Sequence, residues 1–63
     1  MKVSFLNPEK GLEYTREMTA EEFKVIVEMK PEIYLDGNAY ETDGEFQYNI
    51  EFGQFQIIVF ESK

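Results

Sequence analysis

Phe46, Tyr48, Ile50 and Phe52 alternate with Glu45, Gln47, Asn49 and Glu51. This period of two predicts a strand with one buried face and one wet face. Gly53-Gln54 suits a two-residue turn with glycine first, a register that pairs Phe52 with Phe55, Ile50 with Ile57 and Tyr48 with Val59. On the returning strand Phe55, Ile57 and Val59 share the core face. Ile58 and Phe60 then point the other way, beside Asn49 and Gln47. Either a loop or the first hairpin covers these two, or they form an apolar patch used for self-association or partner binding.

Upstream, residues 2–6 read as a strand with Val3 and Phe5 on one side. Asn7-Pro8-Glu9-Lys10-Gly11 reads as a turn, because Pro8 presets φ and Gly11 accepts a left-handed conformation. The chain returns through Leu12, Tyr14 and Arg16, pairing Phe5 with Leu12 and Val3 with Tyr14. Thr19 followed by Glu22 is a capping box, and Met18 with Phe23 makes a hydrophobic staple. Phe23, Ile26, Val27 and Lys30 follow helical spacing. Glu21 and Glu22 in the first turn and Lys30 in the last complement the helix dipole, and Pro31 stops the helix near Met29. Ile33-Tyr34-Leu35 then runs into Asp36-Gly37, a strong hairpin signal, and Asn38 to Thr42 return. A loop of Thr42-Asp43-Gly44 would set Tyr40 opposite Phe46 and Glu41 opposite Glu45.

These elements predict an α+β fold in the order strand-strand-helix-strand-strand-strand-strand. An antiparallel sheet of four to six strands carries the helix on one face. Phe23, Ile26 and Val27 would meet Phe46, Tyr48, Ile50, Phe52, Phe55, Ile57 and Val59. A compact, partly closed barrel is the alternative. The 63 residues make one domain, and a core this small often relies on disulfides, metals or oligomerisation for support. Cysteine and histidine are both absent, so disulfides and His/Cys zinc sites are closed and a homodimer is the expected device.

Charge changes the picture more than any motif. The chain carries thirteen acids against six bases, a net charge of −7. Residues 31–62 hold Glu32, Asp36, Glu41, Asp43, Glu45, Glu51 and Glu61 and no base at all. Such a surface repels nucleic acid and anionic membranes and attracts basic protein surfaces. No stretch is long enough to span a bilayer and the first residues do not form a signal peptide, so a cytoplasmic protein is expected. Catalysis is not expected: no nucleophile–base pair has a recognisable spacing, and with thirteen acids some carboxylate pair always lies at a workable separation. No metal or other cofactor is expected. An EF-hand loop begun at Asp36 needs glycine at its sixth position, where this chain has Glu41.

The acid cluster is the feature with functional reach. Asp36, Glu41, Asp43 and Glu45 crowd two turns, and Glu51 shares a face with Glu45. Net charge of this kind keeps a small domain soluble. It also suits capture of a basic groove, with carboxylates standing in for phosphates and Tyr40, if exposed, serving as an aromatic anchor beside Tyr34 and Tyr48. In its short length, its acidic stretch from Ile33 to Glu45 and its lack of catalytic residues, the chain resembles the small acidic inhibitors of bacteriophages, the anti-defence proteins of anti-CRISPR and anti-Hachiman type. That resemblance implies a non-enzymatic inhibitor, often dimeric, that occupies a basic site on a host or defence protein in the cytoplasm of an infected or lysogenic bacterium and in some cases mimics nucleic acid. The alternatives are a homodimeric interaction module using Ile58 and Phe60, and a dimer that sequesters a small molecule.

Overall fold

A computed structural model describes residues 1–62. The fold is α+β, with one helix following two strands. Strands β1 (Lys2–Asn7) and β2 (Leu12–Glu17) form the first hairpin, α1 spans Ala20–Met29, and β3 (Ile33–Leu35) and β4 (Asn38–Glu41) form the second hairpin. Strands β5 (Phe46–Asn49), β6 (Gln54–Ile58) and β7 (Phe60–Glu61) complete the chain.

The strands do not form the single antiparallel sheet that the sequence predicts. They divide into a four-stranded sheet of order β2-β1-β6-β5 and a three-stranded sheet of order β3-β4-β7. The larger sheet is mixed, because β1 runs parallel to β6, with Val3 beside Phe55 and Phe5 beside Ile57. The chain changes sheets three times, first through α1, which carries it from the first hairpin to the small sheet. After Glu41 it leaves the small sheet for β5, and at Val59 it passes from β6 into β7, which pairs with β4.

Local signals explain the elements. The first turn closes with the Lys10 N–H donating to the Asn7 carbonyl and the Glu9 N–H donating to Asn7 Oδ1, and Gly11 takes φ 63°. Its register pairs Phe5 with Tyr14 and Val3 with Arg16. This is two residues from the predicted register, so every side chain keeps its predicted face. The capping box forms as predicted: the Glu22 N–H donates to Thr19 Oγ1 at 3.1 Å and the Thr19 N–H donates to Glu22 Oε1 at 2.9 Å. These bonds to the Thr19 backbone and side chain hold the Glu22 carboxyl below its ordinary pKa. Lys30 is not in the last helical turn. It is the left-handed C-cap, at φ 49°, its N–H donating to the Ile26 carbonyl just before Pro31. The Asp36-Gly37 turn joins Leu35 to Asn38 in the predicted register.

The core is Val3, Phe5, Phe23, Ile33, Leu35, Tyr40, Ile57 and Val59, with Met18, Ile26, Val27 and Phe55 packed around it. Strands β1 and β6 are central in the larger sheet, and α1, the small sheet and Val59 in the link from β6 to β7 supply the rest of the buried residues. The predicted long strand is cut to Phe46–Asn49, an edge strand. Ile50, Glu51, Phe52 and Gly53 form its turn, closed by the Gly53 N–H on the Asn49 carbonyl and the Phe52 N–H on Asn49 Oδ1. Tyr48 therefore pairs with Phe55 and Phe46 with Ile57, and Ile50 and Phe52 lie outside the core face where the alternation placed them.

Candidate functional site

The five acids that the sequence singles out are all exposed: Asp36 in the β3–β4 turn, Glu41 at the end of β4, Asp43 and Glu45 in the connection to β5, and Glu51 in the β5–β6 turn. None of them forms an ion pair among the described residues. The pairs present are the Met1 ammonium with Glu17 at 3.3 Å, Lys24 with Glu28 at 3.8 Å, and Lys10 with Glu61. Within residues 31–62, Glu61 alone is matched by a base from the first half. Hydrogen bonding to Glu61 and its charge raise the Lys10 pKa. Glu32 is satisfied differently, accepting from the Tyr34 hydroxyl at 2.6 Å and from Ser62 Oγ at 3.1 Å.

The two-sheet topology redistributes these carboxylates. Asp36 belongs to a turn of the small sheet and Glu51 to a turn of the larger one. Glu41 does not face Glu45; its cross-strand neighbour is Phe60. Glu41 instead lines an open cleft of about 580 Å³ with Glu9, Phe60, Glu61 and Ser62. This brings in Glu9 and Glu61, which the sequence did not connect to the cluster, because the first turn and β7 meet only through tertiary structure. Among the described residues, no group of acidic side chains is arranged to hold a metal ion.

Thr42 and Gly44 fix the connection that carries Asp43 and Glu45. Thr42 is buried, and its Oγ1 donates to the Ile58 carbonyl at 2.9 Å and accepts from the Gly44 N–H at 3.0 Å. Gly44 lies against the end of α1, so close that a Cβ there would sit 2.7 Å from the Val27 carbonyl oxygen. The two acids thus extend from a segment seated on both the helix and β6.

The predicted aromatic and apolar contacts move as well. Tyr40 is only 3% exposed and is a core residue, so its ring offers no surface anchor. Ile58 and Phe60 are half-buried. Ile58 lies beside Leu6, and Phe60 lines the acidic cleft. A run of exposed apolar residues lies elsewhere, at Phe46 (48%), Tyr48 (53%), Phe52 (68%) and Ile50 (85%), in or just after β5, while Val25 and Met29 on α1 and Tyr34 on β3 are exposed as well. Between α1 and this strand runs a groove of about 310 Å³, lined by Met1, Ala20, Phe23, Val27, Phe46 and Phe55 and by the stems of Lys24 and Glu28. Phe23 packs edge-on against Phe46 at 5.1 Å, and Phe55 lies 4.8 Å from Tyr48. The alternation that marks β5 reads as a buried face. Only the sheet order shows that its outer side has no neighbour.

On the opposite side of the larger sheet, Thr15, Ser4, Gln56 and Gln47 form one row across four strands. Ser4 and Thr15 share a 2.7 Å hydrogen bond, and Gln47 Nε2 donates to Gln56 Oε1 at 2.7 Å. These bonds pair polar groups within this face, whereas Asn7 Nδ2 is buried without a hydrogen-bond partner among the described residues. Comparison with family models, curated proteins and solved structures found no match.

Proposed function

We propose that this chain is a non-enzymatic acidic binding protein that engages a basic site on a protein partner. Its best-fitting role is that of an inhibitor of a host or defence protein in the cytoplasm, using carboxylates in place of nucleic-acid phosphates. One observation carries the reading. Asp36, Glu41, Asp43, Glu45 and Glu51 are exposed and unpaired among the described residues, within a segment from Pro31 to Ser62 that has no base. Unmatched surface charge contributes nothing to packing and repels itself. It does accelerate association with a surface of opposite sign and steer its orientation. The field reaches about 8 Å at physiological ionic strength, so binding through it weakens as salt rises.

The test replaces Asp36→Asn, Glu41→Gln, Asp43→Asn and Glu45→Gln together, all at exposed positions. The tagged protein should capture its partner from the native host at low salt and lose it at high salt. The four-fold variant should keep the native circular dichroism spectrum and capture little at any salt. Undiminished capture by the variant at low salt would overturn the proposal.

A further inference from the structure

We propose that the open edge of β5 is a docking strand, which accepts an extended segment of the partner bearing alternating apolar and basic residues. This rests on the reading of the chain as a binder of basic proteins and names how one such partner would be held. β5 pairs with β6 on one side and with no strand on the other. Alternate backbone N–H and C=O groups along its outer side therefore face solvent, the standard template for strand addition. Natural edges are blunted by charged side chains, proline, a covering element or very short length, and of these β5 shows the short length, at four residues. β5 has no lysine or proline, and its apolar face, Phe46 and Tyr48, is half exposed beside the groove formed with Phe23, Val27 and Phe55.

Charge selects the occupant. The polar face of β5 is Gln47 and Asn49; Glu45 immediately precedes the strand and Glu51 lies in the turn that follows, both exposed and unpaired among the described residues. An incoming strand aligned along β5 places apolar side chains beside Phe46 and Tyr48 and the alternate ones beside Gln47 and Asn49, with its two ends toward Glu45 and Glu51. Lysine or arginine at those positions is favoured, and aspartate or glutamate is repelled. A second copy of this chain is disfavoured for the same reason. Each copy carries a net charge of −7 and brings the same two flanking glutamates to the edge. The two cations at the far rim of the groove are already matched, Lys24 by Glu28 and the Met1 ammonium by Glu17. The other edge of this sheet, β2, carries Arg16 among its acids and does not select in this way.

The probe is the acetylated, amidated peptide Lys-Val-Lys-Phe-Lys-Val-Lys, compared with a peptide of the same composition whose four lysines are grouped at one end. Binding is followed by amide chemical shifts and hydrogen exchange of the full chain at low salt. The alternating peptide should shift and protect amides of β5, and the grouped peptide should bind at least about tenfold more weakly without that protection. The Glu45→Lys/Glu51→Lys variant should weaken the alternating peptide about tenfold or more. Equal binding of both peptides without protection of β5 would overturn strand docking while leaving the broader attraction to basic partners intact. Binding of neither peptide would remove both. Protection of β5 in concentrated protein without peptide would assign the edge to a second copy and overturn the proposal.

Discussion

Replacing Gly44 by alanine tests whether the acidic connection is seated on the helix. Gly44 has φ 80°, and a Cβ there would lie 2.7 Å from the Val27 carbonyl oxygen and 3.1 Å from Lys30 Cε. The lysine stem can swing aside. The carbonyl belongs to the helical backbone, so the loop and helix must separate. Gly37 is the internal control, because it has φ 82° but nothing within 4 Å of its virtual Cβ. At both sites a left-handed alanine costs about 1–2 kcal/mol, partly offset by about 0.4–1 kcal/mol from a less flexible unfolded chain. Gly37→Ala should therefore destabilise by about 1 kcal/mol. Gly44→Ala adds an overpacking cost of about 1–3 kcal/mol, for about 2–4 kcal/mol in all. A chain of this length has a total stability of roughly 3–9 kcal/mol, so this loss would be conspicuous. Urea titration followed by far-ultraviolet circular dichroism gives both values from the midpoints, provided the slopes agree. Equal losses for the two variants would refute the close approach of loop and helix, and with it the idea that Asp43 and Glu45 are held in place.

Other measurements probe the remaining supports. Thr42→Val removes the bonds to the Ile58 carbonyl and from the Gly44 N–H, and should cost about 1–3 kcal/mol in the same titration. Thr19→Ala should cost about 1 kcal/mol by removing the helix cap. Because the folded Glu22 pKa is lowered, its contribution to stability is present above the unfolded carboxyl pKa and is lost as pH falls through the folded value; Glu22→Gln should flatten that part of the acid titration. The Tyr34 pKa is raised by its hydrogen bond to Glu32 and by the glutamate's charge, so one tyrosine should ionise late in an alkaline absorbance titration and return to the ordinary range in Glu32→Gln.

Local signals were legible because each is closed by neighbours in sequence. The Thr19–Glu22 cap, the stop at Pro31 and the Asp36-Gly37 turn need no distant partner. The β5–β6 hairpin shows where that reading ends. Ile50 and Phe52 continue the alternation, but Asn49 closes a four-residue turn through its carbonyl and its side chain, which moves the pairing by four residues. An even shift preserves the faces, so Phe55 and Ile57 kept their assigned sides although their partners changed. The acid site was legible as a composition and not as an arrangement. Its positions are exposed as the sequence suggests, yet Glu41 joins Glu9 and Glu61 at one cleft while Glu51 lies in a turn of the other sheet.

The sequence alone determined the helix, its cap, the turn chemistry, the face of most apolar side chains and a stretch from Pro31 to Ser62 without cations. Tertiary structure decided that β1 would lie beside β6, that β4 would take β7 instead of β5, and hence that Tyr40 would be interior and Phe46 and Tyr48 would line an open edge. The reason is physical. Period and turn type constrain neighbours along the chain, whereas the choice among distant strands depends on which pairing buries the most apolar surface, and that is a property of the whole folded molecule.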